Sequence, residues 1–205
     1  MAAPSMEGIQ RDQRRYELAL RLIAHRVRTR TISKMTALSR HQLAALRSRW
    51  GVSEGARHRG PPPSSLEKFT HSARARTEGA VLAVYCRIHQ VIPRQGALAA
   101  GTALSLEFGE RLCDAYEAYR ACVPDPAVQF EELLSLVFGL AKGDVIALSR
   151  CTDCQATVLI DRLGPPRRKC SFCLAQETTE ALPAIGLLAT EELDKDVEAS
   201  QANLL

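Results

Sequence analysis

Apolar residues recur at intervals of three and four along most of the chain, the period of a helix that buries one face. Leu18, Leu22 and Ile23 mark such a face on a helix from about Asp12 to Arg28. Ala80, Val84, Ile88 and Val91 mark a second, which must end before Pro93, and Leu104, Phe108, Leu112, Ala115 and Tyr119 a third. Asp125 as N-cap, with Pro126 at the first helical position, predicts the start of a fourth. Its apolar face is Phe130, Leu133, Leu134, Val137 and Ala141, and Lys142-Gly143 closes it with a cation and a C-cap glycine. Only Val145–Leu148 and Thr157–Asp161 have the look of strands. Breaks fall at 51–65, which holds Pro61-Pro62-Pro63, at 93–101, at Pro124-Asp125-Pro126, and after Cys173.

Nearer the N-terminus, Ser39 followed three residues later by Gln42 reads as a capping box, with Leu38 and Leu43 as the hydrophobic staple across it. The helix that follows is expected to bury Leu43, Leu46 and Trp50 and to end at Gly51. Its remaining faces carry Arg40, His41, Gln42, Arg47, Ser48 and Arg49. With a short helix over Ile32–Ala37 and the longer one around Leu18, this is the outline of a helix-turn-helix. In that arrangement Arg40, His41, Gln42, Arg47 and Arg49 are candidate DNA contacts, because arginine and glutamine match the edges of guanine and adenine. Arg14, Arg15, Arg21, Arg26, Arg28, Arg30 and Lys34 are available for phosphates. The same pattern also fits a solvated amphipathic helix in a basic segment.

Charge sharpens the picture. The 205 residues carry a net +4, but residues 1–94 hold +12, residues 95–149 hold −5, residues 150–173 hold +3 and residues 174–205 hold −6. A basic half, an acidic helical stretch, a small basic module and an acidic tail form an organisation rather than an even surface. The acidic helices are expected to face a partner subunit rather than DNA. With 46% apolar residues a folded core is expected, not a disordered chain. No apolar run approaches a membrane span, and the N-terminal residues do not read as a secretory signal. A soluble cytoplasmic protein is therefore the expectation. No Gly-rich phosphate loop, nucleophile elbow or His-Glu-x-x-His is present, which argues against an ordinary enzyme.

The strongest chemical signal is Cys151-x2-Cys154 and Cys170-x2-Cys173, separated by 15 residues. Two such knuckles brought together by a hairpin surround one ion with four sulfurs, the closed tetrahedral arrangement of a structural Zn2+. One zinc per chain is expected. Arg150, Arg162, Arg167, Arg168 and Lys169 are placed to offset the negative charge of four thiolates, and Arg167 and Arg168 are also candidate DNA contacts. Redox CxxC pairs are the rival reading, although no βαβ setting surrounds these. Cys86, Cys113 and Cys122 fall in helical stretches and read as small buried hydrophobes.

Taken together, Leu38-Ser39-Arg40, Leu43, the segment Arg59-Gly60-Pro61-Pro62-Pro63-Ser64-Ser65, and Ala147-Leu148-Ser149-Arg150-Cys151 opening a four-cysteine module resemble the C subunit of the bacterial flagellar master transcriptional activator, the FlhC family. The similarity runs from about Gln10 to Cys173, with the cysteine pairs its most specific part. The chain departs from the family pattern after the proline segment, where Leu66–Arg76 offers only Phe69 as an aromatic of the Trp and Phe type, and in its acidic tail. The resemblance implies a cytoplasmic activator that binds promoter DNA with a D-type subunit, as a heterohexamer, and works with RNA polymerase on flagellar genes. It implies that Cys151, Cys154, Cys170 and Cys173 hold zinc. The alternatives are a zinc-ribbon protein-interaction module and a thiol redox switch, neither with sequence-specific DNA binding.

The expected fold is mainly α, with a small C-terminal four-cysteine module containing short strands. Its expected divisions are a helix-turn-helix-like region over 1–60, a helical core over 61–149, a zinc module over 150–175, and a flexible acidic tail over 176–205.

Overall fold

The computed structural model describes residues 6–51, 66–92, 104–165 and 167–180. The proline segment and nearly all of the acidic tail lie outside the described residues. Within them the fold is mainly helical, with eight helices and one two-stranded sheet.

The first three helices are α1 (Met6–Ala24), α2 (Thr29–Thr36) and α3 (Arg40–Arg49). α1 buries Leu18, Ala19, Leu22 and Ile23, the stripe the sequence marks. α2 ends at Ala37, whose φ of 57° is the left-handed conformation usually left to glycine. That residue turns the chain sharply into α3, and Ser33 Oγ donates to the Leu38 carbonyl at 2.6 Å to brace the turn. Ser39 then caps α3 as expected: the Gln42 N–H donates to Ser39 Oγ at 3.2 Å, and the Ser39 N–H donates to Gln42 Oε1 at 2.9 Å. Leu38 and Leu43 are both buried.

After α4 (Glu67–His71) comes α5 (Ala73–Ile88), which packs against α4, α6 (Leu106–Cys122), α7 (Phe130–Lys142) and strand β2 (Thr157–Asp161). Of the face expected on α5, Ala80 is buried, as is Val91 just past its end, and the rest is corrected. Ala75, Gly79, Leu82, Ala83 and Cys86 are buried, while Val84 and Ile88 face outward. Small residues let α5 be approached from several sides, so its buried surface does not follow its largest apolar residues. α6 bridges α5 to the N-terminal helices. A Cβ placed on Gly109 would lie 2.7 Å from Leu18 Cδ2, so the absence of a side chain sets how closely α6 meets α1.

The start of α7 is also corrected. Its N-cap is Gln129, in a capping box with Glu132, and not Asp125. Asp125 is exposed and sits in the connection, beside Arg74. The C-terminal end is as expected, with Gly143 left-handed at φ 68°. β1 (Ile146–Arg150) pairs antiparallel with β2, Ile146 opposite Asp161 and Arg150 opposite Thr157. The break expected after Cys173 is instead a helix, α8 (Ser171–Glu180). One hydrophobic core runs from Leu18 to Leu159, and a small satellite forms around Cys151, Val158 and Cys173.

Candidate metal centre

The first cysteine knuckle is the turn of the β1–β2 hairpin. β1 ends at Arg150, and the Cys151 N–H donates to the Ala156 carbonyl at 2.8 Å. Gln155 then adopts φ 61°, which tightens the loop enough to start β2. The second knuckle opens α8. It is fastened to the first by the Thr152 N–H, which donates to the Arg168 carbonyl at 3.2 Å. Hairpin and helix therefore deliver two cysteines each to one point.

At that point all four sulfurs lie within 4.8 Å of one another. Cys151 Sγ is 3.9 Å from Cys173 Sγ, and Cys154 Sγ is 3.6 Å from Cys170 Sγ. Zinc–sulfur bonds of about 2.3 Å set tetrahedral edges of roughly 3.8 Å, so the sulfurs already stand near the corners such an ion requires. The Cys170 N–H points at Cys151 Sγ at 3.3 Å and the Cys173 N–H at Cys170 Sγ at 3.4 Å, as amides do around a thiolate centre. Backbone N–H groups of Cys154 and Cys170 hold the Cys151 thiol below its ordinary range, whereas the Cys170 sulfur pushes the Cys173 thiol up. Sulfurs this close cannot all be thiolates without a cation between them. The donor set fits zinc or a similar thiophilic ion.

The cations around the centre are differently employed than charge counting suggests. Arg162 donates to the Gly143 carbonyl, Arg150 to the Gln155 carbonyl, and Lys169 pairs with Asp153 and Glu177. Arg167 and Arg168 remain exposed.

Of the candidate DNA contacts on α3, Arg40, His41 and Arg49 are exposed. Gln42 is exposed too, but its side-chain oxygen is committed to the cap. Arg47 is corrected: it is only 5% exposed, and it donates to Thr29 Oγ1 at 2.8 Å and towards the Val27 carbonyl at 3.4 Å. It ties α3 to the α1–α2 turn and is not free for a phosphate. Trp50, expected in the core, is 64% exposed, because α3 turns Arg47 inward in its place. α3 packs on α1 and α2, whereas β2 packs on α4 and α5 and β1 on α7, so the two basic groups sit on separate parts of the fold.

Part of the N-terminal charge is answered from within. Arg14 holds Glu110 through Nε to Oε1 at 2.9 Å, Arg21 holds Asp114 and Glu117, and Arg28 holds Glu131. Glu110, Asp114 and Glu117 of α6 face α1, and Glu131 of α7 meets Arg28 at the α1–α2 turn. Arg11, Arg26, Arg30, Lys34, Arg40 and Arg49 are exposed with no acidic partner among the described residues.

Two features escape sequence reading. Glu78 is buried and joins three elements: its Oε2 accepts from the Ala127 N–H at 2.7 Å, the Val128 N–H at 3.2 Å and the Tyr119 hydroxyl, while Arg74 Nε donates to its Oε1 at 2.8 Å. A second cluster brings His25, Cys113 and Glu117 together. Its chemistry is poor for a metal, since burial pushes the Cys113 thiol up to about 12 and Arg21 already occupies Glu117. Cys86 and Cys113 are buried as expected, but Cys122 is exposed, 3.2 Å from the Tyr85 hydroxyl.

No helix among the described residues is long and apolar enough to cross a membrane. No protein-family model matches the chain, and comparison with curated proteins returned no match.

Proposed function

We propose that the chain is a DNA-binding transcriptional activator similar to the FlhC family, stabilised by one structural zinc ion on Cys151, Cys154, Cys170 and Cys173. The mechanism is non-enzymatic and the setting cytoplasmic. A D-type subunit completes the promoter-binding complex, and the bound assembly positions RNA polymerase at flagellar genes. The observation that carries the reading is selective neutralisation. Carboxylates of α6 and α7 pair with Arg14, Arg21 and Arg28, while Arg26, Arg30, Lys34, Arg40 and Arg49 on the α1–α2 turn, α2 and α3 keep exposed cations. A fold that silences one set of arginines and leaves the other open suits a phosphate backbone.

The sharp turn at Ala37 and the capped start of α3 support a helix-turn-helix docking mode, with Arg40 and His41 at the helix start where base edges are met. The test is co-expression with a D-type subunit, followed by zinc determination and footprinting on a flagellar promoter. A discrete footprint with one zinc per chain is the result this reading requires.

One observation favours the zinc-ribbon interaction module. An apolar groove of about 470 Å³ runs between α5 and α8, with Phe172 69% exposed on its wall. Binding that ignores salt, or equal affinity for every duplex, would select that reading.

A further inference from the structure

Beside the metal centre, and lined in part by its Cys151, lies an open pocket of about 620 Å³ with three arginines in its wall: Arg87 from the last turn of α5, Arg150 from the end of β1, and Arg168 from the second knuckle. Ser149 and Thr157 add hydroxyls to its lining, the Thr152 hydroxyl donates to Asp153 at 2.9 Å, and no carboxylate lines it. Arg14, Arg21, Arg28, Arg74 and Arg111 are each matched by Asp or Glu, whereas these three, like the exposed cations of α2 and α3, have no acidic partner among the described residues. Arg87 Nε is buried and makes no hydrogen bond among the described residues, a costly arrangement for a guanidinium nitrogen. Arg168 has no acidic partner among them either, and Arg150 uses one nitrogen on the Gln155 carbonyl.

Three arginines and two free hydroxyls lining one pocket are the chemistry of an oxoanion site, since guanidinium forks match tetrahedral oxygens two at a time. The competing explanation is that the arginines offset the thiolates of the metal centre. The sulfurs, however, take their hydrogen bonds from backbone N–H groups of Cys170 and Cys173, and Arg150 turns to a carbonyl instead.

We propose that this pocket binds one backbone phosphate of the nucleic acid, fixing the zinc module against the duplex while α3 reads it. This rests on the DNA-binding reading above and adds to it a second, separate point of attachment.

The full zinc-loaded chain tests it through three readouts on Arg87→Gln and Arg168→Gln: zinc content, amide shifts of Thr152 and Gln155 on titration with inorganic phosphate, and duplex affinity across a salt series. The proposal requires unchanged zinc, loss of the phosphate-induced shifts, and a duplex salt slope smaller by about 0.9 for the contact removed. Arg168→Gln alters only an exposed side chain, so it reports even where Arg87→Gln perturbs folding. Zinc loss in Arg168→Gln overturns the proposal, because the arginine is then a counter-charge to the thiolates. Phosphate-induced shifts with an unchanged duplex slope overturn the nucleic-acid assignment and leave a site for free phosphate. If Arg40→Ala weakens duplex binding while the pocket variants do not, this inference fails and the DNA-binding reading stands. If the wild-type chain with its D-type partner binds no duplex, that reading fails, and this one with it.

Discussion

Arg21 on α1 grips Glu117 on α6 with two parallel hydrogen bonds, Nε to Oε1 at 3.0 Å and Nη2 to Oε2 at 2.8 Å. Arg21 Nη2 also reaches Asp114 Oδ1 at 2.6 Å, and His25 Nε2 lies 2.9 Å from the same Glu117 Oε1. With Arg14–Glu110 further along the same two helices, this contact joins the basic N-terminal region to the acidic helix. It turns a charge asymmetry of the sequence into an internal seam, and so decides which arginines remain for a partner.

The seam has a pH signature. Burial pushes the Glu117 carboxyl up, but hydrogen bonds from Arg21 and His25 more than offset this and hold it below its ordinary 4.5. Burial acts likewise on Glu78, where the Tyr119 hydroxyl, Arg74 and two backbone N–H groups again bring the value below 4.5. A folded-state value below the unfolded one means that the folded chain binds fewer protons there. The stabilisation is complete above pH 4.5 and is lost as the pH falls through the folded-state values. Thermal melts across that range should show Tm falling on acidification, and Glu117→Gln should fall less steeply. Because both side chains of the Arg21–Glu117 pair are partly exposed, its loss at neutral pH should cost about 1 kcal/mol or less, and less again at high salt.

Glu78→Ala should be far more damaging. Removing the carboxylate leaves the Ala127 and Val128 N–H groups and the Tyr119 hydroxyl without their acceptor at the joint of α5, α6 and the chain entering α7. A loss of about 3 kcal/mol is expected from denaturant melts. Glu78→Gln, which keeps an acceptor oxygen, should recover part of it.

Arg40 and Arg47 stand on the same helix and should behave in opposite ways. Arg47→Ala removes a buried guanidinium that binds Thr29 and Val27, so denaturation should shift by about 1–3 kcal/mol. Arg40→Ala alters an exposed side chain and should leave the melt unchanged. Duplex titrations should show the reverse order once stability is matched, with Arg40→Ala weakening specific sites more than random DNA.

Metal analysis should return one zinc per chain. Cys151→Ser should lose it, while Cys86→Ala, Cys113→Ala and Cys122→Ala keep it, because those three sulfurs lie outside the cluster. Chelation should loosen the two cysteine knuckles and α8 before the main core, which Ile146 and Leu159 of the hairpin help to form.

What was legible in the sequence is what local geometry dictates. The Ser39–Gln42 capping box, the left-handed Gly143, the span of β2 and the cysteine knuckles all depend on residues a few positions apart. The buried side of α5 was not legible: its core contacts come from Ala75, Gly79 and Ala83, which carry little periodic signal, while Val84 and Ile88 point outward. Nor was the exchange of Trp50 for Arg47 on α3, since Arg47 is drawn inward by Val27 and Thr29 some 18–20 positions away. The start of α7 was misplaced because Asp125-Pro126 is a good local cap, but the Ala127 and Val128 N–H groups bind Glu78 on α5 instead of beginning a helix. The α1–α6 seam spans more than ninety positions, beyond any local pattern.

The most direct test of the whole reading is duplex affinity for a flagellar promoter, measured by anisotropy for the zinc-loaded chain with its D-type partner and again for Cys151→Ser. The account predicts tight, salt-sensitive and promoter-selective binding by the former, with a strong loss in the zinc-free variant. A zinc-free variant that binds the promoter as the wild type does, or a wild type that holds random and promoter duplexes equally, would contradict it.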